Sequence, residues 1–309
     1  MPVMDKTVES PAWEFLFPDA VYFAEVGADH TSMGVGGQID MLLYPKSVKD
    51  LAEMIRLLNR QGTAHTVVGN WTNLIITDKG YRGALICTRG LNRIDTLLQR
   101  EASMRIRAEA GVPLSELVAL TVRENLTGFE FCAGIPGSVG GGVRMNAGAY
   151  GHSISEVLET VTLMDAQGAV QSLEKQELRF DYRNFHLPEN TTIVEAVFQL
   201  QNDPEGHVGE KVKKIMEERR HKHPLQYKNA GSIFKNPKEI PAGRLIEEAG
   251  LKGYAIGDAM ISEKHGNFII NRGHATADDI MALIHHVQGC IYRDRGVVLE
   301  LEVKLLGER

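Results

Sequence analysis

Seven of the 31 glycines in this 309-residue sequence fall between Gly134 and Gly151, in the run GIPGSVGGGVRMNAGAYG. Backbone with so few side chains lets successive N–H groups close on an extended, charged ligand. Ser138 adds a hydroxyl, and Asn146 an amide that both donates and accepts. No Gly-Lys-Ser/Thr follows, so the run is not a Walker A loop, and it lacks the βαβ setting of a Rossmann fingerprint. A structural turn or a flexible linker is the plainer alternative. Against it, Ile135, Val139, Val143 and Met145 are apolar anchors that a linker does not need. We read the run as a cradle for a ligand whose identity these residues alone leave open. Residues 67–78, VVGNWTNLIITD, read as strand, tight polar loop, strand. Loops of that kind hold phosphates through backbone N–H groups and usually need glycine, yet Trp71 stands in the middle of this one.

Other reactive side chains are ambiguous by pattern. Arg183, in the short stretch DYRN, reads as a surface ion-pair partner. Ser232 follows Gly231 and reads as a turn or capping serine. Glu302 shares one face of an alternating segment with Val298, Glu300 and Lys304, which is the pattern of a solvated strand face. His221 and His223 have no neighbouring cysteine or acidic cluster, so no metal site is expected, and His285-His286 on a helix reads as structural.

The elements that must position these residues alternate between helix and strand. Ser47 caps a helix with Leu51, Met54, Ile55 and Leu58 on one face, followed by strands at 64–69 and 83–88. A strand at 103–110 leads to a helix opened by Pro113, bearing Leu114, Leu117, Leu120 and Val122 and ending near Asn125. Residues 157–174 form a hairpin around Ala166-Gln167-Gly168, and Thr192 to Leu200 form a strand. The polar stretch 201–208 marks the main boundary. A Lys/Glu-rich helix over 207–221, a helix from near Ala242 and a strand at 267–271 come next. Thr276 and Asp279 then cap a helix with the stripe Ile280, Leu283, Ile284, Val287 and Ile291, stopped by Gly296. A last strand alternates from Val297 to Leu306. Hairpins mixed with crossovers point to an α+β fold.

Composition limits the partners. A net charge of −6 argues against a nucleic-acid binder. Cys87, Cys132 and Cys290 are odd in number and far apart, which suits a reducing cytosol, and a cytoplasmic location is expected. Neither a signal-peptide pattern nor a run as long as the ~18 apolar residues of a membrane span is present, so no membrane insertion is expected.

The run Gly134–Gly151 resembles the flavin-binding signature of the UDP-N-acetylenolpyruvoylglucosamine reductase (MurB) family. The resemblance extends over residues 20 to 307. His30-Thr31-Ser32 with Gly36-Gly37 is similar to the family's opening, and Gly69 to Asn73 to its first pyrophosphate loop. Tyr182-Arg183, the run Gly231 to Pro237 and Glu302-Val303 are similar to its reaction-centre motifs, in order. It implies a two-subdomain FAD-binding fold of the PCMH/VAO-like type, with subdomains at about 20–88 and 89–203. An N-terminal extension, 1–19, precedes it and a C-terminal α+β substrate domain, 204–309, follows. It implies non-covalent FAD reduced by NADPH, a UDP-sugar with an enolpyruvyl ether as substrate, and a monomer of the compact branch that lacks an extra substrate-covering loop. The cofactor contacts it implies are Gly69, Asn70, Trp71, Thr72, Asn73, Gly134, Pro136, Gly137, Ser138, Gly140, Gly141, Asn146, Ala147 and Gly148. The catalytic group is Arg183 for charge, Ser232 as proton donor and Glu302 to polarise the developing enol. Candidate substrate contacts by position in these motifs are Arg219, Tyr227, Lys235 and Asn236; Arg219 heads the basic run before Pro224, for which a helix end favoured by the dipole is an equal reading. Three positions depart from the family pattern: Trp71 for glycine, Phe185 for serine, and Gly34 for a longer side chain, often arginine. Trp71 is expected to turn its ring outward or onto the flavin domain. A protein of the same fold that binds flavin or UDP-sugar without turnover is the alternative reading, and a small-molecule oxidase with flavin tethered through His or Cys is a third, for which Cys132 is the residue to check.

Overall fold

Three layers of sheet and helix meet around the glycine run in the computed structural model, which describes residues 10–99 and 102–308. Part of the expected N-terminal extension, residues 1–9, lies outside them. Its remainder forms a helix, Ser10–Leu16, whose Trp13 is buried in the first core.

That core lies under a sheet ordered Val21–Val26, Gln38–Leu43, Tyr81–Cys87, His65–Val68. The first pair is antiparallel and the other two are parallel. Helix Val48–Gln61 crosses between strands as expected. Ser47 accepts from the Asp50 N–H at 3.0 Å, Leu51, Met54, Ile55 and Leu58 are buried, and Gly62 ends the helix in the left-handed region.

The second subdomain is an antiparallel sheet ordered Val170–Glu174, Leu158–Met164, Thr192–Asn202, Ser103–Glu109, Ile94–Gln99. Helix Leu114–Arg123 covers it with Leu114, Leu117, Val118 and Leu120, while Val122 faces outward. Helix Val208–Lys222 lies beyond the polar stretch at 201–208, yet its Val212, Ile215 and Met216 pack on this second core.

A third sheet, Lys228–Ser232, Phe268–Asn271, Ala259–Ile261, Ala255–Ile256, carries the C-terminal half. Helix Ala277–Arg295 seals it with Ile280, Leu283, Ile284, Val287 and Ile291. Burying each such side chain stabilises by about 1.5–3 kcal/mol.

The chain does not end in the long strand that alternation predicted. Only Lys304–Leu306 is strand, and it pairs in parallel with Leu74–Ile76 of the first subdomain. The segment before it is extended, held by the Glu302 N–H to Ile233 O bond (2.8 Å) and the Lys235 N–H to Glu300 O bond (2.8 Å). The end of the chain therefore threads between the two halves of the molecule and ties them together.

Candidate active site

Both glycine-containing loops face one cleft. The Thr72 hydroxyl donates to Pro136 O at 3.0 Å, pinning one loop to the other. Among the described residues, the backbone N–H groups of Asn70, Trp71, Thr72 and Asn73 have no protein acceptor. A row of free donors of this kind suits a pyrophosphate. Gly69 is required because a Cβ there would collide with the Ser138 hydroxyl, and a Cβ on Gly140 would stand 2.8 Å from that of Ala110. Between the subdomains lies a cavity of about 730 Å³, lined by Asn59, Thr66 and Gly69 of the first and by Gly140, Gly141 and Arg144 of the second. Volume, bare backbone and the Arg144 cation together fit an adenine dinucleotide.

Not every expected cofactor contact faces that space with its side chain. Ser138 is buried, and its oxygen accepts from the Gly141 N–H at 3.4 Å as the cap of helix Val139–Arg144. Asn146 also turns inward. Its amide donates to Asp181 O and accepts from the Ser155 N–H, both at 3.2 Å, so it clamps the glycine run to the Tyr182-Arg183 turn. The residue that sequence reasoning missed is Arg144. It is the sole charged residue of the run, which was the available signal, and its Nη1 donates to Phe185 O at 2.7 Å from the cavity wall.

Trp71 answers the question its loop raised. It has φ 57°, the conformation that glycine adopts freely, and its ring is 1 % exposed. The indole donates to Cys87 Sγ at 3.3 Å and lies 5.5 Å from the His30 ring. The ring is thus turned onto the first subdomain and away from the cleft. Asn146, Tyr150 and Arg183 share that left-handed backbone, with φ 41°, 56° and 56°. Strain of this kind gathers where the surrounding structure fixes an unusual side-chain direction.

Arg183 is held by the glycine run itself. Its Nη2 donates to Gly148 O at 2.9 Å, and its guanidinium lies 5.2 Å from the centre of the Tyr182 ring. Its Nε stands 2.9 Å from Glu302 Oε1, with side-chain exposures of 20 % and 16 %, which removes Glu302 from the solvated face that alternation allowed. The Nε–H is not aligned on that oxygen and has no hydrogen-bond acceptor. Burial pushes the Glu302 carboxyl above its ordinary range, against the opposing pull of Arg183 and Lys235. Ser232 ends its strand one residue before Ile233, the backbone partner of Glu302.

Arg219 is 9 % exposed, stacks over Tyr150 at 5.8 Å and leaves its Nε without a partner, so it presents a buried cation with one free N–H beside Gly134. Lys235 pairs with Glu300 at 3.2 Å. The Asn236 side chain is occupied in accepting from the Ala242 N–H, while its own N–H donates to the Tyr182 hydroxyl at 3.4 Å. Tyr227 is 41 % exposed. Cys132 is fully buried and its thiol is pushed far up by burial, the reverse of what a flavin-tethering nucleophile needs. Among the described residues no His/Cys/Asp/Glu group could hold a metal ion, and no helix is long and apolar enough to cross a membrane.

Residues 39–174 match the FAD binding domain family, and residues 223–306 match the C-terminal domain of UDP-N-acetylenolpyruvoylglucosamine reductase. The reductase of that name from Syntrophus aciditrophicus is 46 % identical over 289 residues, covering 94 % of this chain and 93 % of its own. The chain belongs to the UDP-N-acetylenolpyruvoylglucosamine reductase family. The homologue from Caldicellulosiruptor saccharolyticus is 42 % identical over 91 % of this chain and 90 % of its own. A crystal structure of the reductase from Thermus caldophilus superposes with a TM-score of 0.79 at 33 % identity, covering 91 % of this chain and 97 % of that one. The two-subdomain FAD-binding fold expected from the sequence is therefore borne out.

The surrounding structure accommodates the two remaining departures from the family pattern. Phe185 is buried and stacks on Phe180, with ring centres 4.3 Å apart, as part of the second core. At Gly34, φ 67°, the space that a side chain would fill is taken by Lys228.

Proposed function

We propose that this protein reduces UDP-N-acetylglucosamine enolpyruvate to UDP-N-acetylmuramate, a step in peptidoglycan precursor synthesis. The free N–H groups of residues 70–73 and the Gly134–Gly151 run would hold FAD without a covalent link, and once reduced by NADPH it would supply hydride for the β-carbon of the enolpyruvyl group. The Arg183–Glu302 pair, seated on the glycine run, carries this reading.

Hydride addition beside a carboxylate builds negative charge on that carboxylate. Arg183 and Arg219, each with a free Nε–H, receive it, because a guanidinium offers parallel donors to a carboxylate. Burial favours the neutral form of Glu302, which is the form able to donate to the enol-like oxygen where an ionised carboxylate would repel it. Ser232 then gives its hydroxyl proton to the α-carbon and is reprotonated from water. A serine hydroxyl is a weak acid, and the carbanion it meets is a strong base. Lys235, Asn236 and Tyr227 border the sugar-nucleotide end, Asn236 through backbone. The protein acts as a cytoplasmic monomer, with residues 204–309 as the substrate-binding part.

The test is optical. Purified protein is yellow, bleaches with NADPH and regains its flavin absorbance when the enolpyruvyl substrate is added. Bleaching without substrate-driven recovery would assign the chain to the alternative, a binding protein without turnover.

A further inference from the structure

We propose that Asn73 is a positioning residue for Glu302, and that the pyrophosphate loop thereby sets the geometry of the catalytic carboxylate. This rests on the assignment of Glu302 made above. Asn73 belongs by sequence to the cofactor loop, yet its side chain is directed elsewhere: Nδ2 donates to Glu302 O at 3.1 Å. Its backbone carbonyl accepts from the Lys304 N–H at 3.0 Å. Two bonds from one residue thus hold the chain on either side of Val303, at Glu302, 229 residues away in sequence, and at Lys304. On the other flank, the Glu302 N–H donates to Ile233 O at 2.8 Å, beside Ser232.

The loop that supplies these bonds is itself anchored. The Trp71 indole is bonded to Cys87, the Trp71 carbonyl accepts from the Ser32 N–H at 3.2 Å, and Thr72 is tied to Pro136. Residue 73 is therefore fixed in relation to the glycine run that holds Arg183. Arg183 and Glu302 meet because each is bonded to a different cofactor loop. Losing the Asn73 amide leaves the covalent path to Glu302 intact but frees its backbone on one side. A misplacement of ~1 Å at a reacting group can cost 10²-fold in rate.

Asn73→Ala and the near-isosteric Asn73→Asp, which lacks the donor, are to be prepared as FAD-loaded proteins. Three readouts are needed: FAD affinity by titration of the apoprotein, the rate of bleaching by NADPH, and the rate of colour recovery with the enolpyruvyl substrate across pH. The expected result is a recovery rate lowered tenfold or more in both variants, with the pH limb of Glu302 displaced. FAD affinity and bleaching stay within a few-fold. In an Glu302→Gln background, Asn73→Ala then causes no further loss. Equal slowing of bleaching and recovery, full rescue by excess FAD, or an undiminished effect of Asn73→Ala in the Glu302→Gln background would overturn the proposal. If Glu302→Gln alone leaves recovery unchanged, the assignment of Glu302 fails instead.

Discussion

Trp71 shows how two opposing residue-level effects are weighed. Left-handed backbone at a residue with a Cβ costs about 1–2 kcal/mol, which a glycine at this position avoids. Removing a buried aromatic side chain costs about 3–5 kcal/mol. The second effect is larger, so Trp71→Gly is expected to destabilise the protein by about 2–3 kcal/mol, read by urea unfolding of the apoprotein, despite restoring the family residue. A gain in stability would mean that the ring contributes little where it is buried. Arg183 gives a second residue-scale expectation. It lowers the Glu302 pKa while burial raises it. Arg183→Met therefore moves the Glu302 limb of the recovery-rate pH profile upward; an unmoved limb would show that the two groups do not interact. The contact between Arg183 and Glu302 was expected only through the family resemblance, and neither it nor the inward turn of Asn146 follows from local pattern. Alternation fixes which face a side chain shares but not what packs over that face, and Glu302 is covered by a residue 119 positions earlier in the chain.

Local elements were the most legible part of the molecule, because their signals are short-range. Caps at Ser47 and Thr276, the apolar stripe of Ala277–Arg295 and its Gly296 stop all appear as read. The last strand was misread since alternation in 297–306 reflects contact with two different partners, Phe234 opposite Leu301 and then Leu74–Ile76 beside Lys304–Leu306. One element carries a cap that no local pattern discloses. Both carboxylate oxygens of Asp78 accept from the first turn of Ala277–Arg295, at the Ala277 and Asp278 N–H groups, each at 2.9 Å. Asp78→Ala removes a capping carboxylate worth about 0.5–2 kcal/mol, and it does so across the junction of the two halves. The expected outcome is a matching loss of stability in thermal unfolding, with faster hydrogen exchange in the first turn of that helix. Unchanged exchange there would show that the intrinsic Thr276–Asp279 cap suffices.

At the scale of the whole molecule, the polar stretch 201–208 looked like the boundary, yet helix Val208–Lys222 packs on the second core and its end meets the C-terminal sheet. A polar, glycine-containing turn marks a change of direction, and only the contacts of the following helix decide which core it joins. His223 lies at that junction, against His265 and Phe268, with Arg219 and Lys222 also facing it. Burial, then these cations, lower its pKa to about 4 from an ordinary 6.5. Burial likewise lowers that of His265. The unfolded chain therefore binds more protons between those values, and stability falls as pH drops from about 6.5 to about 4. In His223→Gln the decline of Tm over that window is expected to be shallower; an unchanged slope would remove the junction from the acid response. The proposed reaction requires both halves to close on one centre, in which Arg183, Ser232 and Glu302 act on the same substrate carbon skeleton. Its most direct test is single-turnover colour recovery in Ser232→Ala and Glu302→Gln, starting from enzyme already bleached by NADPH. Recovery slowed by ~10²–10⁴ with bleaching intact is the predicted result, whereas recovery at the parent rate in either variant would contradict the account.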